Sequence, residues 1–127
     1  MKKTLIAVAG LAVALLTAVP LRGHHSGLTL FSQTTATLNG AVKTWVWSNP
    51  HVLLTVEVKG EDGQTAQWLV ELQAPNTIYP AGFRANMFKP GDPVTVTVNP
   101  SANGRPFGRM VEIVLADGRR LGDGVRN

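Results

Sequence analysis

The chain has 127 residues, no cysteine, and a formal net charge of +4 from 12 basic and 8 acidic side chains. Lys2, Lys3 and Arg22 supply three of those positive charges, so the chain from His24 onward carries 9 basic residues against the same 8 acidic ones. That near-neutral remainder lacks the electrostatic footprint of a nucleic-acid binder. The absence of cysteine excludes disulfides, C-x-x-C-H haem attachment and a thiolate-based blue-copper site.

The first element is "MKKTLIAVAGLAVALLTAVP". Two lysines precede an uncharged Thr4–Val19 run rich in Ala, Leu and Val. This is the layout of a secretory signal peptide, expected to span residues 1–23 and to direct the chain to the periplasm or out of the cell. The alternative is an uncleaved membrane anchor, for which the run falls slightly short of the ~20 apolar residues a spanning helix needs. Small and aliphatic residues allow a cut after Gly23, which makes His24 the new N-terminus, or after Ala18. Residues 24–35 are read as an N-terminal arm, 36–121 as one small domain and 122–127 as a C-terminal tail.

Glycine and proline punctuate stretches of β-branched residues through the rest of the chain, the pattern of an all-β protein. Five strands are expected. "TLNGAVKTWVW" (37–47) is long, with Gly40 as its bulge or bend. Simple alternation there puts Leu38, Val42 and Val46 on one face, and Lys43, Trp45 and Trp47 on the other. "VLLTVEV" (52–58) turns Val52, Leu54, Val56 and Val58 inward, and "GEDG" (60–63) makes a hairpin. "AQWLVEL" (66–72) turns Trp68, Val70 and Leu72 inward. Pro75 opens a short helix that Pro80 and Gly82 stop, a further turn follows near Arg84–Phe88, and "KPGD" (89–92) turns the chain into "VTVTV" (94–98), the strictest alternation present. "RMVEIVL" (109–115) places Val111, Ile113 and Leu115 on one face before "ADGRR" turns the chain. Three strands, a short helix and two strands, with a long bent first strand, predict a five-stranded OB-like Greek-key barrel; a small sandwich is the alternative.

Only three histidines occur, in "RGHHSG" (22–27) and "SNPH" (48–51). Neutral imidazole ligates Cu(II), Zn(II) and Ni(II), and Cu(II) stands highest in affinity. His24, His25 and His51 are therefore the candidate metal ligands, with copper the favoured ion; a cut after Gly23 adds the His24 amine. The competing reading leaves the pair solvated and gives His51 a turn-capping role. Met87 and Met110 are candidate soft sulfur ligands or gap-filling side chains. Trp45 and Trp47 offer a stacking or partner-binding face, against the commoner role of packing.

Catalysis is not expected. Four of the acids, Glu61, Asp62, Asp92 and Asp117, fall in or beside glycine-containing turns. Glu57, Glu71 and Glu112 take outward strand positions, read as a solvated face. Ser26 beside His25 makes no triad, and the isolated glycines form no phosphate loop. A small metal-dependent hydrolase is the least favoured class.

The set "HHS" (24–26), "NPH" (49–51), "KPGD" with its following strand (89–98) and "LADGRRL" (115–121) resembles a family of small exported bacterial proteins of unknown function. His24, His25, Ser26, Asn49, Pro50, His51, Trp68, Glu71, Gly91 and Asp92 match its pattern. After "HHS" this chain has "GLTLFSQ" in place of an aromatic and acidic stretch, so the resemblance supplies no extra acidic ligand beside the histidine pair. It implies no activity. The expectation is an exported OB-like binding module for copper or, as the alternative, an accessory protein that binds a periplasmic protein partner or envelope component through the Trp45 and Trp47 face, with membrane contact only through an uncleaved leader.

Overall fold

The computed structural model describes residues 30–124. In chain order the elements are β1 (Ala36–Val46), β2 (Leu53–Lys59), β3 (Thr65–Glu71), the short helix α1 (Pro75–Ile78), β4 (Pro93–Pro100), β5 (Phe107–Leu115) and β6 (Arg120–Gly122). β1 pairs antiparallel with both β2 and β4, β2 with β3, and β4 with β5. A parallel pairing of β3 with β5, Leu69 to Phe107 through Glu71 to Arg109, closes the barrel. This is the expected OB-like topology, five strands with a helix between the third and fourth. β6 was not expected; it is a three-residue strand antiparallel to β5 with a single apolar side chain, Leu121.

The barrel interior is built from alternate residues, as the pleat requires. Leu54 and Val56 of β2, Val70 of β3, and Val96 and Val98 of β4 are all fully buried. One end is plugged by the segment after β3. Pro75 occupies the first turn of α1, where its missing N–H costs nothing, and Ile78 and Phe83 are fully buried. The Trp45 ring stacks 6.3 Å from that of Phe83 and meets Phe88 edge-on at 4.9 Å, while its Nε1 donates to the Arg84 carbonyl at 3.1 Å.

Two bulges correct the faces that simple alternation assigns. In β1 the pairing slips between Val42, opposite Val56, and Thr44, opposite Thr55. The bulge therefore lies at Lys43 rather than at Gly40. It flips every residue after it, because the side-chain period is two. Trp45 turns inward opposite Leu54 and Trp47 also packs on the core, whereas Val46 faces out, 45% exposed. In the β4–β5 ladder the slip leaves Val111 unpaired, so Met110, opposite Val98, takes the inward place expected for Val111. Met110 is 2% exposed, a core side chain.

"KPGD" supports the first bulge. Lys89 N–H donates to Asp92 Oδ2 at 2.8 Å, and Gly91 adopts φ +93°, which favours glycine. The turn then pairs with the bulged strand: Val42 N–H donates to the Asp92 carbonyl and Gly91 N–H to the Val42 carbonyl, each at 2.8 Å.

Candidate functional site

His51 lies in the loop between β1 and β2, just before Val52. The Ser48 hydroxyl donates to the His51 carbonyl at 3.1 Å and closes the loop, which contains a cis Asn49–Pro50 bond. On either side of Val52 the backbone is tied to the end of β3, since Val52 N–H donates to the Gln73 carbonyl and Leu72 N–H to the Val52 carbonyl. The loop is thereby held beside Glu71, the last residue of β3. His51 Nδ1 sits 2.8 Å from Glu71 Oε1, with 42% of the imidazole exposed but only 16% of the carboxylate.

Arg109, opposite Glu71 in the parallel β3–β5 pair, brings its guanidinium within 3.5 Å of the same oxygen. Its Cζ also lies 5.1 Å from the centre of the Phe31 ring, and that ring packs 5.3 Å from Phe107. Such a cation over an aromatic face is a favourable contact. A continuous chain of contacts thus runs from His51 through Glu71 and Arg109 to Phe31, the second of the described residues.

The chemistry of this arrangement follows from the imidazole. With Nδ1 donating to a carboxylate, a neutral histidine carries its lone pair on Nε2. A carboxylate behind a histidine fixes its tautomer and ring orientation. Nε2 has no protein partner among the described residues. Nor do those residues hold a group of three or more His, Cys, Asp or Glu side chains placed to hold a metal ion. One imidazole with its orienting carboxylate is a partial ligand set.

His24, His25 and Ser26 lie outside the described residues. Met87 is half-buried and its sulfur accepts a hydrogen bond from the Arg84 N–H at 3.4 Å, so it faces the plug rather than His51. Trp45 and Trp47 do not share an outer face with Lys43, because the bulge turns both toward the core. Glu71 is where the reading of a solvated face fails, its side chain being only 16% exposed. It does occupy an outward position, but the loop before β2 and the start of β5 flank it there. The resemblance had singled it out together with His51; strand periodicity carried no signal of their contact.

A small OB-like β-barrel presenting one carboxylate-oriented histidine at its rim is the class that fold and site define. More specifically, the chain belongs to the Family of unknown function (DUF6152), which it matches over residues 12–110. That span contains His24, His25, His51, Glu71 and Arg109. No curated protein and no solved structure was found to match the chain.

Proposed function

We infer that this protein is an exported, non-catalytic binding module for Cu(II), with His51 as its fixed ligand and His24 and His25 as ligands brought in by the N-terminal arm. The observation that carries the reading is the 2.8 Å contact of His51 Nδ1 with Glu71, which leaves the Nε2 lone pair of a 42% exposed imidazole as a ligand for a metal. The path of the chain supports it further. Phe31 is seated against Arg109, itself against Glu71. His25 is six positions before Phe31, and at up to about 3.5 Å per step the chain between them spans as much as roughly 20 Å. That reach covers the short path from Phe31 to His51. Three imidazoles, with or without the His24 amine, make the nitrogen-rich set that Cu(II) prefers.

Export follows on this reading from the Lys2–Lys3 start and the apolar run behind it. The test uses protein exported with its own leader and purified without chelator. Native mass spectrometry reports its first residue and any bound copper together. Paramagnetic resonance of the Cu(II) form reports nitrogen coordination. Replacing His24 and His25 by Ala, or His51 by Ala, is expected to remove tight Cu(II) binding without unfolding the barrel. Glu71→Gln is expected to weaken binding by about 10–100-fold, the usual effect of losing a carboxylate behind a ligand. Unchanged copper affinity in the double histidine variant refutes the reading.

A further inference from the structure

The outer face of β1, β2 and β3 carries apolar side chains beside the proposed copper site, whose Glu71 lies opposite Leu53. Val46 is 45% and Leu69 39% exposed, and Leu53 lies half-buried opposite Val46 in the β1–β2 register. Of the four large hydrophobic residues exposed among those described, these are two; Leu30, at the start of the described chain, is a third, and Tyr79 lies under the Arg84 guanidinium. The patch continues along the sheet into the place where the arm enters. Leu69 is opposite Phe107, and the Phe31 ring rests on Phe107.

We propose that the segment Gly27–Thr29, immediately upstream of Leu30, docks on this face with Leu28 as its apolar anchor over Leu69 and Leu53. The length of chain fits. Leu28 is three residues from Phe31 and reaches up to about 10 Å. Neighbouring strands lie about 4.8 Å apart, so the same distance spans from β5 past β3 to β2. Anchoring is already present at the near end, where the Leu30 carbonyl accepts from Ala102 N–H and Ser32 N–H donates to the Pro100 carbonyl. Seated this way, the segment covers Leu69 and Leu53 and carries the histidine pair along the β2–β3 side of the barrel toward Val46. The docking needs no metal.

The absence of cysteine makes a clean test possible. In the exported protein, Ser26→Cys carries a nitroxide label, and methyl signals are recorded with chelator present. Docking predicts loss of the Val46, Leu53 and Leu69 signals, with Val94 and Leu115 at the far ends of β4 and β5 retained. Adding Leu28→Asp should restore the lost signals. Retained Val46 and Leu53 signals in the labelled parent overturn the proposal, as does broadening that survives Leu28→Asp. Broadening that passes from labelled to unlabelled chains in a mixture also overturns it and assigns the face to a second copy. Because metal is excluded, a failure here leaves the copper reading standing, and a failure of copper binding leaves the docking result standing.

Discussion

Replacing Gly40 by Ala separates two physical arguments of opposite sign. Glycine inside a strand costs roughly 0.5–1 kcal/mol relative to Ala through its backbone freedom, so conformational entropy alone predicts that the variant is more stable. The packing predicts the reverse. Gly40, like Ala41, is paired on both sides of β1, opposite Val58 of β2 and Val94 of β4. A Cβ there collides with the Glu57 carbonyl oxygen, and also comes within 2.9 Å of Val56 Cγ1 and 3.0 Å of the Glu57 carbonyl carbon. Two of those three atoms are backbone of a paired strand, which has no rotamer to change. Overpacking costs about 1–3 kcal/mol, and prising β1 from β2 gives up about 1 kcal/mol for each ladder hydrogen bond lost. The expected destabilisation is therefore about 3 kcal/mol. For a domain of this size that lowers the Tm by roughly 12–24 °C. Gly122→Ala is the matched control, since a Cβ at Gly122 meets nothing within 4 Å; it should be neutral or stabilising by about 0.5 kcal/mol. Thermal and urea unfolding of both variants make the comparison. A Gly40→Ala protein as stable as the parent refutes the close approach of β1 to β2 as the reason for glycine.

Three further outcomes are expected. Val96→Ala, at a fully buried site, removes two methyl groups worth about 0.8 kcal/mol each and leaves a small cavity, for a loss of about 2 kcal/mol by urea unfolding. Val111→Ala, at the half-buried bulge position, should cost less than about 1 kcal/mol; equal losses at the two sites would contradict the β5 bulge. The Arg119 backbone N–H, and after it the Arg119 side chain, hold the Asp117 carboxyl below its ordinary titration range. A group depressed in this way contributes stability above its unfolded-state pKa that is lost as pH falls through the folded value. In an NMR titration Arg119→Gln should therefore move Asp117 only part of the way back, because the backbone donor remains; a full return would assign the effect to the guanidinium alone.

The barrel was legible because β2, β3 and β4 alternate strictly and turn residues separate the strands. "VTVTV" and "VLLTVEV" put every second residue inside as read, and the Pro75 helix falls where its fixed φ belongs. The faces beyond Lys43 and around Val111 were illegible for a physical reason. A bulge inserts one unpaired residue and reverses all later assignments in that strand. Composition gives no sign of it, since Lys43 looks like any solvated residue. β6 escaped notice because three residues with one apolar side chain carry no measurable period. Glu71 illustrates a different limit. Its outward position was read correctly, but what lies outward of β3 is fixed by the parallel β3–β5 closure and by a loop twenty residues earlier, neither of which leaves a local pattern.

The geometry divides the proposed ligands into two mechanical classes. His51 is held by a loop bonded to the end of β3, and its ring is oriented by Glu71, whose carboxylate Arg109 also contacts. His24 and His25 are tethered at Phe31 by a short stretch of chain. A ligand set assembled from a fixed group and a tethered pair binds with a strength set partly by the effective concentration of the pair at the fixed site, which depends on tether length and on what holds the tether down. The apolar face of β1, β2 and β3 enters at this point. If Leu28 seats there, the ordering of the arm precedes metal capture and the entropic cost at the binding step falls. Leu28→Asp should then lower Cu(II) affinity while leaving all three imidazoles intact, whereas Glu71→Gln acts first through the orientation of His51 and secondarily through the Arg109 contact. The two effects are separable by combining the substitutions. Independent routes to the same site give losses that add in free energy, and a shortfall from additivity would mean that arm docking and His51 orientation are one coupled event.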